Sequence, residues 1–179
     1  MTVLVGCNGI GKTTLLKQLK QLLEREKTPV ISFDNLQDGG HNARSAAAFY
    51  EDWAFLGTSM CSSEGENIVL NLGKLAGKMG AFQRANAGAK EIWILLDAVD
   101  SGLSVDNVVD LKDLFSLILE CRGETDVYIV VSANAYEMAR GEKCFDVLRG
   151  RYTKIASYER YRNFILKTRE MKNKRKYKE

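Results

Sequence analysis

The chain has 179 residues, 45% of them hydrophobic and 27% charged, with a single proline. That length supports one ordinary domain with its own core, and the composition excludes a disordered or collagen-like chain. Net charge is only +3, yet residues 167–179 hold seven Lys/Arg against two Glu, so the basicity belongs to a C-terminal tail. The longest apolar runs, 92–96 and 127–131, are far too short to cross a bilayer, and no basic-then-apolar signal opens the chain. A cytoplasmic protein with no membrane partner is expected. Cys7, Cys61, Cys121 and Cys144 are scattered without a Cys-x-x-Cys pair, which supports neither a zinc site nor a disulfide framework.

In chain order, residues 2–5 form a short β-branched run that ends in a glycine-rich turn. Residues 12–27 then carry Leu15, Leu16, Leu19, Leu22 and Leu23 at helical spacing. A second strand is expected over 30–33, followed by a loop over 34–42 that contains Gln37, Gly39 and Gly40. Residues 43–55 are expected to be helical. Another helix starts at Ser63, which has the capping-box partner Glu66 and apolar residues Ile68, Val69, Leu72, Leu75, Ala76 and Met79 at helical intervals. The continuous apolar run 92–96, ending in Asp97, reads as a strand buried on both faces of a parallel sheet. A crossover helix over 105–120 and a buried strand over 127–132 follow. Runs 145–148 and 152–155 flank Arg149-Gly150-Arg151 as a terminal hairpin, and residues 157–174 form a closing helix. Strands alternating with helices predict an α/β fold of three layers around a mainly parallel sheet. Residues 1–166 are assigned to one domain and 167–179 to the basic tail.

Gly6-Cys7-Asn8-Gly9-Ile10-Gly11-Lys12-Thr13-Thr14 fits the phosphate-loop pattern and lies between a predicted strand and a predicted helix, as that motif requires. Its glycines let several N–H groups turn inward at phosphate oxygens, and the helix places its positive end beneath them. Asn8, Gly9, Ile10, Gly11, Lys12, Thr13 and Thr14 are therefore the expected phosphate contacts. Lys12 neutralises the β- and γ-phosphates, and the Thr13 hydroxyl faces Mg²⁺. A purine nucleoside triphosphate, ATP with Mg²⁺, is the expected ligand. The sequence lacks an Asn-Lys-x-Asp guanine reader and the arginine-rich lid of nucleoside monophosphate kinases.

Beyond the loop come Ser63-Glu64-Gly65-Glu66 at a helix start, then Ile94-Leu95-Leu96-Asp97, then Asp100-Ser101-Gly102-Leu103-Ser104. In this order the motifs resemble those of ABC-type ATPases, above all their SMC-like and RecF-like branch with its Ser-x-Gly-Glu signature. The resemblance covers residues 3–134. It implies that Asp97 holds Mg²⁺ through water and that Gln37 is a further metal contact. It also implies that Ser63, Gly65 and Glu66 grip the γ-phosphate on a second copy of the chain, so that ATP joins a homodimer. The short stretch between loop and signature leaves little room for a coiled-coil arm or a transporter-docking subdomain. The residues ahead of the loop offer no ring for adenine, so base identity follows from the class alone.

Two positions depart from that family's pattern. Ala98 stands where a glutamate ordinarily polarises the attacking water, and Asn134 stands where a switch histidine is expected. Loss of a general base removes a factor of about 10² to 10⁴ in rate, so slow hydrolysis is expected, with Asp100 as substitute base and Asn134 as a hydrogen-bonding residue. The sequence thus predicts an ATP-dependent dimer with weak ATPase activity, and the basic tail makes nucleic acid the first partner to test. The alternatives are a non-hydrolysing ATP sensor and a small-molecule kinase.

Overall fold

The computed structural model describes residues 1–34, 64–121 and 123–176. Strand β1 (Thr2–Val5) runs into helix α1 (Lys12–Arg25), then β2 (Val30–Asp34), α2 (Glu64–Ala85), β3 (Glu91–Asp97), α3 (Val105–Glu120) and β4 (Asp126–Ser132). The short helix α4 (Tyr136–Ala139), β5 (Lys143–Asp146), β6 (Arg151–Thr153) and α5 (Tyr158–Lys176) complete the described chain. The six strands form one sheet in the order β2-β3-β4-β1-β5-β6, parallel except for the β5–β6 pair. The expected three-layer α/β fold is present.

Side chains on successive strand residues point to opposite faces, and the two cores divide accordingly. On one face Val3, Val5, Ile92, Ile94, Leu96, Ile129 and Val131 pack with Leu75 and Met79 of α2, Val108, Leu111 and Phe115 of α3, and Tyr161 of α5. On the other face Leu4, Leu95 and Val130 pack with Leu16 and Leu23 of α1. Phe115 is fully buried at the centre of the larger cluster, where truncation to alanine costs about 3–5 kcal/mol. Beside α1 the sheet is less covered. Trp93 and Tyr128, register partners on β3 and β4, stack at 4.6 Å along an open groove of about 800 Å³.

Several element ends differ from those expected, each for a local reason. Helix α1 stops at Arg25, not residue 27, because Lys27 takes a left-handed φ of 56°. Its N–H then bonds the Glu24 carbonyl, and Thr28 N–H bonds that of Leu23, which is the Schellman closure. The terminal hairpin forms about two residues upstream of the expected one. Pairing with β1 draws Lys143 and Cys144 into β5, and Asp146 ends the strand by accepting N–H bonds from Leu148 and Arg149. The expected boundary at 166/167 falls inside α5, which continues unbroken to Lys176.

Candidate nucleotide site

The strand order places β4 between β1 and β3, so the carboxyl ends of these three strands open onto one edge. Ligands of open α/β sheets bind at that edge. From β1 the chain enters the glycine loop, where Gly6, Gly9 and Gly11 have φ values of 147°, 70° and 109°. These lie in the region that side chains rarely adopt, so the loop's shape depends on glycine. Gly11 is the N-cap of α1, and no side chain caps that helix. Its first-turn N–H groups therefore face outward with the positive end of the helix dipole behind them. A Cβ at Gly11 would meet no atom within 4 Å, so the space above the helix start is open. The loop thus has the backbone donors, the shape and the room that a phosphate group requires.

Lys12 is buried, 8% exposed, and its ammonium donates to the Gly6 carbonyl at 2.9 Å and to Asn134 Oδ1 at 3.0 Å. Burial pulls its pKa below the usual lysine value, against the opposing pull of Asp100, Cys7 and Asp97. At the end of β3, Asp97 accepts a 2.5 Å hydrogen bond on Oδ1 from the Ser132 hydroxyl of neighbouring β4. Ser132 Oγ in turn accepts the Ala98 N–H at 3.3 Å. Ala98 sits at a φ of 51°, in the left-handed region, and its methyl group has no proton chemistry. Thr13 is exposed in the first turn of α1. Among the described residues no cluster of three or more His, Cys, Asp or Glu could hold a metal unaided. A hydroxyl in the first turn of α1 and a carboxylate at the end of β3 are the kinds of oxygen donor that Mg²⁺ takes alongside phosphate oxygens and water.

Asp100 is buried beneath the same edge. Its Oδ2 accepts the Asn134 N–H at 2.6 Å and the Ala135 N–H at 2.5 Å, while its Oδ1 is buried without a partner. One carboxylate oxygen therefore holds the turn after β4 in place, and that turn presents Asn134 to Lys12. The Asn134 carbonyl is held from the other side by the Tyr161 hydroxyl at 2.7 Å. Burial and the nearby Asp100 push the Tyr161 pKa up, so this hydroxyl stays a donor.

Of the residues singled out from sequence, Asn8 to Thr14, Asp97, Asp100 and Asn134 lie at this one edge. Gly65 and Glu66 fall in the first turn of α2. Gln37 and Ser63 lie outside the described residues. Sequence reasoning gave Ser132, Tyr161 and Thr168 no role here and read Lys172 only as a nucleic-acid contact of the basic tail. Thr168 Oγ1 accepts the Cys7 N–H at 3.2 Å, and Lys172 donates to the Asn8 carbonyl at 2.7 Å, both from helix α5. The one available signal was a threonine and a lysine four apart in a helix, too common a pattern to stand out.

A strand, glycine loop and helix with a buried lysine, and a strand-end aspartate on the same sheet edge, define a nucleotide-binding P-loop domain of the ATPase type. Residues 1–138 match the family model described as AAA domain, and the chain belongs to that family. No curated protein and no solved structure matches the chain. Among the described residues no helix is long and apolar enough to cross a membrane.

Proposed function

We propose that this protein is an ABC-type ATPase of the SMC-like and RecF-like kind, which binds Mg·ATP, dimerises around it and hydrolyses it slowly. The observation that carries the reading is the 3.0 Å bond from Lys12 to Asn134, which couples the phosphate loop to the end of β4. A residue in that place meets the terminal phosphate once Lys12 turns to the β- and γ-oxygens. Thr13 and Asp97, with Gln37 as a further contact, would hold Mg²⁺, which would supply positive charge against that of the phosphates. The chain's own part is to orient. Ser132 fixes the Asp97 carboxylate, Asp100 fixes the backbone that carries Asn134, and the unpartnered Asp100 Oδ1 supplies the proton acceptor that Ala98 lacks. Ser63, Gly65 and Glu66 of a second copy complete the site in this reading. Nucleic acid, drawn by the basic tail, is the proposed partner of the ATP cycle, and the protein works in the cytoplasm.

The test is phosphate release from Mg·ATP by the purified chain. Slow release is expected, lost in Lys12→Ala and reduced about 10²-fold or more in Asp100→Asn, which keeps an acceptor for the two N–H groups but not the base. Release that persists in Lys12→Ala belongs to another protein and removes the ATPase reading. Ala98 favours one second reading, an ATP-binding switch without turnover. It predicts tight Mg·ATP binding and no release above the Lys12→Ala background.

A further inference from the structure

Helix α5 touches the nucleotide site's own backbone at three points. Tyr161 donates to the Asn134 carbonyl, Thr168 accepts from Cys7 N–H, and Lys172 donates to the Asn8 carbonyl. These residues are seven and four apart, two helical turns and one, so they share a face. Thr168 is fully buried and fixes that face against the loop. One turn further on, the Lys172 ammonium reaches the loop at Asn8. A Cβ at Gly9 would stand 3.5 Å from Lys172 Nζ, an ordinary contact distance, so the ammonium lies beside Gly9 as well as Asn8. An open groove of about 580 Å³ lies between Gly6 to Asn8, the turn at Asn134 and α5, and Lys172 lines it with Arg162 and Arg169. The family match ends at residue 138, so none of these α5 contacts is carried by it.

We propose that Lys172 is a second phosphate-binding lysine of the site, supplied by the same chain, and that its ligand is the terminal phosphate of a nucleoside triphosphate. The proposal rests on the nucleotide-binding reading above and adds the residue that distinguishes triphosphate from diphosphate. A neutral carbonyl is a weaker acceptor for an ammonium than a phosphate oxygen, so arrival of the anion beside Asn8 and Gly9 draws the ammonium off the carbonyl. Lys12 follows the loop and serves the β-phosphate as well as the γ-phosphate. Lys172 comes from α5, the helix that also holds Asn134, and reaches the loop at Asn8, so in this assignment it serves the terminal phosphate. The competing account is that Lys172 merely props the loop by holding the Asn8 carbonyl. The two accounts differ in which nucleotide suffers when the charge is removed.

Affinities for Mg·ATP and Mg·ADP are to be measured by calorimetry on the full chain and on Lys172→Gln, Lys172→Ala and Lys172→Arg. Lys172→Gln retains a neutral donor for the Asn8 carbonyl but has no charge. It is expected to weaken ATP by about ten- to a hundredfold, the factor carried by one charge-assisted hydrogen bond, and to leave ADP within about threefold. Lys172→Ala should behave alike, and Lys172→Arg should keep most of the preference for ATP. Equal weakening of both nucleotides, or an unchanged ratio in Lys172→Gln, overturns the assignment while leaving nucleotide binding intact. Failure of the unmodified chain to bind either nucleotide overturns the underlying reading and this assignment together.

Discussion

Lys12 is the residue whose surroundings are most informative. Its two hydrogen-bond acceptors, the Gly6 carbonyl and the Asn134 amide oxygen, are both neutral, and burial disfavours the charged form. Its pKa is lowered from 10.5 in the free protein. The charge thus costs stability at any pH below that lowered pKa, and the cost is relieved as pH rises through it. Phosphate reverses the balance, because an anion on Lys12 raises the pKa again, so binding takes up a proton in alkaline solution. Mg·ATP affinity is therefore expected to be level near neutral pH and to fall as pH passes the lowered Lys12 pKa, by up to about tenfold per unit. Lys12→Arg, whose guanidinium keeps its proton throughout, should show no such fall wherever it still binds. Calorimetric titrations from neutral pH to just below 10.5 check this, and a fall of equal steepness in Lys12→Arg would assign it to another group.

At the scale of elements, α5 is where sequence and structure part most usefully. Its existence and extent were legible from Tyr158, Tyr161, Phe164 and Ile165, but the Lys and Arg that dominate from 167 onward marked its last turns as a basic tail and hid their contacts with the loop. A lone buried threonine leaves no trace in hydrophobic periodicity, and its partner at Cys7 is 161 residues away in the chain. The strands were easier. Those buried on both faces form continuous apolar runs, and β3 and β4 extend the expected runs by only a residue or so. The hairpin was displaced because Val147 and Leu148 look like strand, while the turn-forming carboxylate of Asp146 overrides them. The α5 contact has a measurable weight. Thr168→Val keeps the shape of the side chain but leaves the Cys7 N–H buried without an acceptor, which should destabilise the fold by about 1–3 kcal/mol in denaturant unfolding. Mg·ATP binding should weaken in parallel, since Cys7 adjoins Asn8. A stability loss well under that range would mean that α5 is not fastened to the loop at Thr168.

For the molecule as a whole, the phosphate loop and Asp97 were legible because each is written in consecutive residues with a fixed local geometry. What joins them is not. Lys12 meets Asn134 across 122 residues, and Asp97 meets Ser132 across 35, contacts that only the insertion of β4 between β1 and β3 creates. The case for a second copy of the chain rests on what one copy lacks. Each loop offers donors and cations on its own side, from Lys12 and Lys172, while Ala98 supplies no acid or base on the other. If Ser63, Gly65 and Glu66 of a partner close that side, Mg·ATP should convert a species of 20.1 kDa into one of twice that mass. Slow turnover helps the experiment, because an ATP-bound dimer with Ala98 in place of the usual glutamate persists long enough for sedimentation or light scattering. Lys12→Ala should remain monomeric for want of nucleotide. Ser63→Arg should bind Mg·ATP and remain monomeric, for the introduced side chain would meet the partner's loop with like charge and excess bulk. A dimer that forms equally well in Ser63→Arg, or without nucleotide, would place the interface elsewhere and leave the P-loop of each copy to act alone.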